Sequence, residues 1–364
     1  MLRNIGLLAI LLIACSPKTP DTQDTTKAAA KIIAYYSGNA DRINQYDLTQ
    51  LDQLIYSFLH LQGNELAIDN EADSLTLLHL TGLKKQYPNL KVLISLGGWT
   101  GCKTCSEVFN TTEGQTQFIA STVRIIEDYN ADGIDLDWDY PSIEGPPGHL
   151  FQAADRDNFT RLVAGLREAM QPGDILSFAA GGFPEFLEKS IDWPMVMTYV
   201  DHVNLMSYDL VGGYSKVTGH HTPLYSTSSQ HRSTDQAVNW LLDAGVAAEK
   251  IVIGAAFYGR IWEHVAPENN GLYQSGDFKQ GVGQNNFSEV TQGFEFYWDS
   301  LAQAPFGYHP DDSLFLTYDN AASVELKCQY VLDKRLGGIM FWELVNDKPK
   351  DGLLGVMKET IKPE

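Results

Sequence analysis

Eight short apolar runs recur along the chain, at 31–36, 53–58, 91–99, 132–141, 175–180, 202–209, 250–259 and 337–343. Segments with helical spacing of apolar positions lie between them. That alternation predicts an α/β fold with a parallel sheet, because parallel strands need helical crossovers. Most of the runs carry polar or aromatic side chains at their C-terminal ends, where (β/α)8 barrels assemble active sites. Eight strands favour a closed barrel over an open doubly wound sheet, and no GxGxxG or P-loop pattern speaks for a nucleotide fold. The predicted fold class is therefore α/β, a (β/α)8 TIM barrel. The even spacing breaks once, between the seventh run and the eighth. The segment 261–316 is rich in Gly, Asn, Phe and Tyr and includes Phe294-Glu-Phe-Tyr-Trp298. Such aromatic content argues against a long disordered loop and for an inserted folded unit.

The fourth run, Asp132-Gly-Ile-Asp-Leu-Asp-Trp-Asp-Tyr-Pro141, departs from its neighbours. Side chains alternate faces along a strand, so Ile134, Leu136 and Trp138 point one way and Asp135, Asp137 and Asp139 the other. Three carboxylates then share one face at intervals of about 6–7 Å. A solvated edge strand carries such a row without cost. The flanking Ile, Leu and Trp instead read as a buried strand, in which like charges raise one another's pKa and hold a proton near neutrality. This row is the candidate active site.

The run resembles the signature of glycoside hydrolase family 18 chitinases, Asp-x-x-Asp-x-Asp-x-Glu on the fourth strand of a (β/α)8 barrel. Asp132, Asp135 and Asp137 match it, whereas Asp139 stands where the family has its proton-donating Glu. Four further matches lie in order on predicted strand ends. They are Ser95-Leu-Gly-Gly98 followed by Trp99, Met206-Ser-Tyr208-Asp209, Phe257-Tyr258-Gly-Arg260, and Trp342 in Met-Phe-Trp-Glu. The resemblance runs from about Lys31 to Leu354, and it makes 261–316 an α+β insertion walling a substrate cleft, with the barrel at 31–260 and 317–362. It implies substrate-assisted hydrolysis of N-acetylglucosamine polymers, in which the substrate's 2-acetamido oxygen attacks the anomeric carbon. Asp139 would then be the donor, Asp137 the partner of the acetamido N–H, Asp135 its support and Tyr208 a donor to the acetamido oxygen. Asp209 would contact the sugar and Trp342 would stack beneath it, with Trp99 a further platform. Tyr35, Gly98, Tyr140, Met206, Tyr258 and Arg260 complete the implied binding set, and no metal or cofactor is expected.

An Asp carboxyl falls about 1–1.5 Å short of a Glu carboxyl, and misplacement of about 1 Å can cost on the order of a hundredfold in rate. Three readings stay open: a working chitinase, a slow hydrolase that mainly binds, and a chitin-binding protein without turnover. Glu144 is a conceivable substitute acid, although it lies beyond Pro141 in a predicted loop. Cleavage of N-linked glycans is a further option on this fold, which a walled cleft disfavours.

A net charge of −20 excludes phosphate-rich partners, since nucleic acid binding needs clustered Lys and Arg. Arg3 precedes an apolar run at 5–14, too short for a mature membrane span and suited to a signal peptide. Leu12-Ile-Ala-Cys15 resembles a bacterial lipobox, which implies lipidation at Cys15, a flexible tether over 16–30 and a lipid-anchored envelope protein, read as a monomer. Cys102 and Cys105 are spaced as C-x-x-C. In an exported chain a local disulfide is favoured over a zinc site, which lacks further ligands nearby, or a redox motif. Cys328 sits in a helical pattern and reads as a buried free thiol.

Overall fold

The computed structural model describes residues 30–362. The signal segment, Cys15 and all but the last residue of the tether lie outside the described residues. Fourteen strands form two sheets among the described residues. In chain order, the strands of the first sheet are β1 (Lys31–Tyr36), β2 (Gln53–Gln62), β3 (Glu65–Ala67), β4 (Lys91–Gly97), β5 (Gly133–Asp137), β6 (Ile175–Gly181), β7 (His202–Met206) and β8 (Ile251–Ala256). The second sheet holds β9 (Tyr258–Glu263), β10 (Asp277–Gly283), β11 (Glu295–Asp299), β12 (Ala304–His309) and β13 (Leu314–Thr317), and β14 (Gly338–Trp342) returns to the first.

β1 pairs in parallel with both β2 and β14, and this closes eight parallel strands into a barrel. The period of 2 along β1 divides its residues between two cores. Ile33 and Tyr35 point inward to Ile55, Leu93, Val252 and Met340, while Ile32, Ala34 and Tyr36 face the surrounding helices. The helices carry their own start and stop signals. The helix Thr112–Tyr129, for example, begins with the Thr111 hydroxyl accepting the Gly114 N–H at 2.9 Å and ends at Asn130 with φ 53°. A side-chain cap supplies one of the partners that the first turn lacks, and Asn tolerates the left-handed cap.

The barrel departs from the predicted strands at two places. β2 runs on to Gln62 and folds back on the hairpin strand β3, which the apolar pattern did not reveal because β3 is only three residues long. β8 stops at Ala256, where its partner β14 ends at Trp342. From Tyr258 the chain pairs instead with β10 and β13, so Tyr258–Arg260 open the second sheet rather than finish a barrel strand. That antiparallel sheet, ordered β10-β9-β13-β12-β11, buries Trp262, Phe306, Tyr308 and Phe315 on one face and Ile261, Val282, Leu316 and Tyr318 on the other.

A wholly buried ion pair ties this sheet to the barrel. Lys327 Nζ lies 2.6 Å from Asp319 Oδ2, and the same oxygen accepts the N–H of Ala256 at 3.0 Å. The other oxygen of Asp319 accepts from Ser323 at 2.7 Å, which leaves the charge well partnered, as a buried carboxylate requires.

Candidate active site

The three carboxylates of the acid row point into the barrel, and Trp138 points out to pack edge-on against Phe109. β5 itself ends at Asp137, so Asp139 lies just past the strand but keeps its alternation. The fourth acid of the motif, Asp132, does not join them. It sits at the opposite end of the strand, bonded to Lys84 at 2.9 Å, Lys91 at 3.1 Å and the Val92 N–H at 2.9 Å. Its role is to tie β4 and β5 together.

Asp135 is completely buried and saturated with donors. Ser177 at 2.6 Å, Tyr35 at 2.9 Å, Asn204 at 3.0 Å and Ser95 at 3.3 Å all donate to it. Strand register explains the set, since Ser95 and Ser177 are the direct neighbours of Asp135 on β4 and β6. Burial raises its pKa, and the four hydrogen bonds oppose the rise. None of the hydrogen bonds among the described residues joins Asp135 to Asp137.

Asp137 and Asp139 are different. Each is buried, and each has one carboxyl oxygen without a hydrogen-bonding partner among the described residues. Burial pushes Asp137 well above the usual carboxylate range, and the charges of Asp139 and Asp135 push it further. Burial likewise lifts Asp139 to about 7. The Tyr140 hydroxyl pulls it down by hydrogen bonding, and the Asp209 charge adds to the rise. A pair of this kind holds a proton at neutral pH.

Around the pair opens a cleft of about 1180 Å³. Every residue of the expected catalytic and binding set except Asp135 lines it, and Asp135 lies one layer below. Trp342 stacks on Phe58 with ring centres 5.5 Å apart and tilts against Tyr35 at 5.9 Å. Trp99 is 43% exposed and meets Tyr140 at 6.2 Å and Tyr214 at 6.1 Å. Gly98 has φ 79°, and a Cβ there would stand 2.4 Å from the Phe58 ring, so only glycine lets the chain turn between Phe58 and the acids. Tyr208 contacts Met340 Sδ at 3.8 Å, and burial raises its pKa well above 10, so its hydroxyl keeps a proton to donate.

Asp209 follows β7 with φ 55° and is gripped bidentately by Arg260 of β9, with His221 Nδ1 at 3.6 Å. Burial works against its charge, but the close approach of His221 and the hydrogen bonds and charge of Arg260 hold it far below the usual range. The pair joins the second sheet to the barrel across the cleft. Arg260 also lies over the Tyr258 ring at 5.3 Å.

Several lining residues were not foreseen. Phe58, at the C-terminal end of a predicted strand, carried the same positional signal as Tyr35 and could have been found. Tyr214, Phe183, Phe278 and Arg232 sit on loops or on the second sheet, and Glu185, paired with Arg232, on the short helix Pro184–Lys189, where sequence alone gives no placement. Glu144 is exposed on the rim. Cys102 and Cys105 form a buried disulfide directly after the Trp99 loop, and Cys328 is a buried free thiol.

Residues 31–347 match the sequence pattern of the glycosyl hydrolases family 18. The chain belongs to that family. Among solved structures it is similar to a family 18 N-acetylglucosaminidase from Paenibacillus barengoltzii, with 33% identity and a TM-score of 0.83 over 91% of this chain and 99% of the other. It is also similar to the group IV chitinase of Ostrinia furnacalis solved with allosamidin, with 28% identity and a TM-score of 0.83 over 91% and 98% of the two chains. Chitinase A1 of Niallia circulans is 34% identical over 298 residues, 74% of this chain. The match spans only 42% of that longer protein. These relatives support a glycoside hydrolase of the chitinase type.

Proposed function

We propose that the protein hydrolyses β-1,4 linkages in chitin or N-acetyl chitooligosaccharides by a substrate-assisted, retaining reaction with Asp139 as proton donor. The observation that carries this reading is a carboxyl group held near pH 7, beside a second acid of raised pKa, in an aromatic-lined cleft of a family 18 barrel. The similarity to the Ostrinia group IV chitinase, solved in complex with allosamidin, supports the chitinase reading.

In this mechanism the Asp139 proton passes to the leaving glycosidic oxygen as its bond to the anomeric carbon breaks. The substrate's acetamido oxygen attacks that carbon and forms an oxazolinium ring. Asp137 accepts a hydrogen bond from the acetamido N–H, and the Tyr208 hydroxyl donates to the acetamido oxygen. Water then attacks the anomeric carbon as its bond to the acetamido oxygen breaks and the acetamide re-forms, and gives its proton to the Asp139 carboxylate, which restores the acid and retains configuration. Trp342 and Trp99 offer apolar faces to sugar rings.

The alternative is a chitooligosaccharide-binding protein with little turnover. It is favoured by Asp139 itself, which is one methylene shorter than the Glu that family 18 enzymes use as donor. General acid catalysis is worth roughly 10²–10⁴-fold, so a donor that fails to reach would leave binding intact and remove most of the rate. Turnover and binding of N-acetyl chitooligosaccharides by wild type, Asp139→Glu and Asp139→Asn separate the two. Turnover by wild type with a dead Asp139→Asn supports the enzyme. Binding without turnover, rescued by Asp139→Glu, supports the binder. Neither binding nor cleavage by any variant refutes the substrate class.

We also propose that the chain is exported and lipid-anchored through Cys15. The lipobox-like sequence supports this, as does the Cys102–Cys105 disulfide, which suits an oxidising compartment. Loss of metabolic palmitate labelling in Cys15→Ser is the expected result, and labelling that persists would refute it.

A further inference from the structure

The loop after β5 closes on the main chain of Asp139 rather than on its side chain. Pro146-Pro147-Gly148-His149 forms a turn closed by the His149 N–H on the Pro146 carbonyl at 3.0 Å, with Gly148 at φ 87°. Proline at the second position and a positive-φ glycine at the third are what a type II turn requires. The turn delivers the His149 ring to Asp139, where Nδ1 lies 3.2 Å from the main-chain carbonyl oxygen. A carbonyl only accepts, so Nδ1 carries the proton, and Nε2 is left buried without a partner among the described residues. Gly145 closes in on the same oxygen, and a Cβ there would stand 2.3 Å from it.

The loop is itself braced from behind. Asp155, fully buried, accepts from both Ser106 Oγ and the Gln152 N–H at 2.8 Å and from the Ser142 N–H at 3.4 Å. Gln152 donates back to the Ser106 carbonyl at 2.8 Å, and Ser106 adjoins the disulfide cysteine Cys105. A continuous chain of contacts therefore runs from the disulfide through Asp155 and the loop to the backbone of Asp139.

We propose that His149, seated by the Pro147-Gly148 turn, is a positioning residue that fixes the main chain of Asp139 and so sets the reach of its short carboxyl toward the substrate. This rests on the reading of Asp139 as proton donor. Reach is what a shorter acid lacks, and in a given rotamer it is adjustable only through the backbone.

The experiment compares His149→Ala and His149→Asn, each with Asp139 and with Asp139→Glu, on a soluble N-acetyl chitooligosaccharide, with thermal melts alongside. With Asp139, His149→Ala is expected to lower kcat about ten- to a hundredfold while KM stays within about twofold, as expected for an acid displaced by a fraction of an ångström up to about one. His149→Asn, whose amide N–H stands near Nδ1–H, should recover most of the loss. With Asp139→Glu the cost of His149→Ala should shrink to about threefold or less, because the added methylene supplies its own reach. An unchanged kcat, an equal loss for Ala and Asn, a loss confined to KM, or an equal loss in both backgrounds would overturn the proposal. If no variant turns over substrate, the hydrolase reading fails, and the positioning claim is judged on the carboxyl ¹³C titration of Asp139, assigned by its disappearance in Asp139→Asn. A midpoint displaced by about half a unit or more in His149→Ala sustains the claim, and an unmoved midpoint ends it.

Discussion

Tyr140→Phe is expected to carry activity to higher pH. A general acid works only while protonated, so kcat/KM is full below its pKa and falls about tenfold per pH unit above it. Burial holds the Asp139 carboxyl at about 7, the Asp209 charge adds to that, and the hydrogen bond from Tyr140 pulls the other way by favouring the ionised form. A hydrogen bond to a charged group is worth about 1.5–3 kcal/mol, which at about 1.4 kcal/mol per unit is about 1–2 pKa units. Removing the hydroxyl should therefore move the falling limb from about 7 to about 8 or beyond. At pH 8 about a tenth of the wild type and at least about half of the variant carry the proton. The variant's rate relative to wild type should thus rise about fivefold or more between pH 5 and pH 8. Tyr140 also lines the cleft, so absolute rates fall, but the ratio across pH cancels that loss. The assay is kcat/KM for a soluble chitooligosaccharide from about pH 4 to about pH 10. A limb that stays in place or moves to lower pH would refute the hydrogen-bond account. A wild-type limb centred near 4 would refute the elevated acid altogether.

Asp139→Asn should stabilise the protein at neutral and alkaline pH. The folded-state pKa is raised from 3.8 to about 7, so the wild type is progressively destabilised as pH rises through that window. The full effect is at most about 4 kcal/mol, and melts should show the variant's advantage growing from pH 4 to pH 8; a constant difference would contradict it. Replacing Cys102 and Cys105 by Ser opens a very short loop and should cost about 2 kcal/mol in urea denaturation, with reductant reproducing the effect in wild type. Lys327→Met should cost about 3–5 kcal/mol by stranding the Asp319 charge, and adding Asp319→Leu should recover part of it; an equal or larger loss in the double variant would show that the pair acts through more than its charge.

The barrel was legible because its strands are buried on both faces and so stand out as apolar runs between helical segments. The acid row was legible because a period of 2 puts Asp135, Asp137 and Asp139 on one face whether or not the strand continues past Asp137. The same argument separates Trp138 from the cleft. What escaped the sequence depends on contacts between distant segments. Asp132 looks like its motif neighbours, yet its side chain turns to Lys84 and Lys91 at the far end of the strand. Tyr258 and Arg260 read as the end of a barrel strand because nothing local marks the change of partner at Phe257. Tyr214 and Phe183 reach the cleft only through loop paths that no periodicity encodes. His149 lies in the predicted loop beyond Pro141, and no local pattern names the distant carbonyl that its ring serves.

The direction of β1 has a consequence for how the cleft meets its surroundings. Lys31 begins that strand at the rim where Asp132 is clamped, and the cleft lies at the other rim, beyond Tyr36 and Asp137. The described chain therefore enters the barrel at Ala30 on the side opposite the cleft. A ligand entering the cleft thus meets the C-terminal ends of the strands, a barrel's height away from the point where the described chain begins.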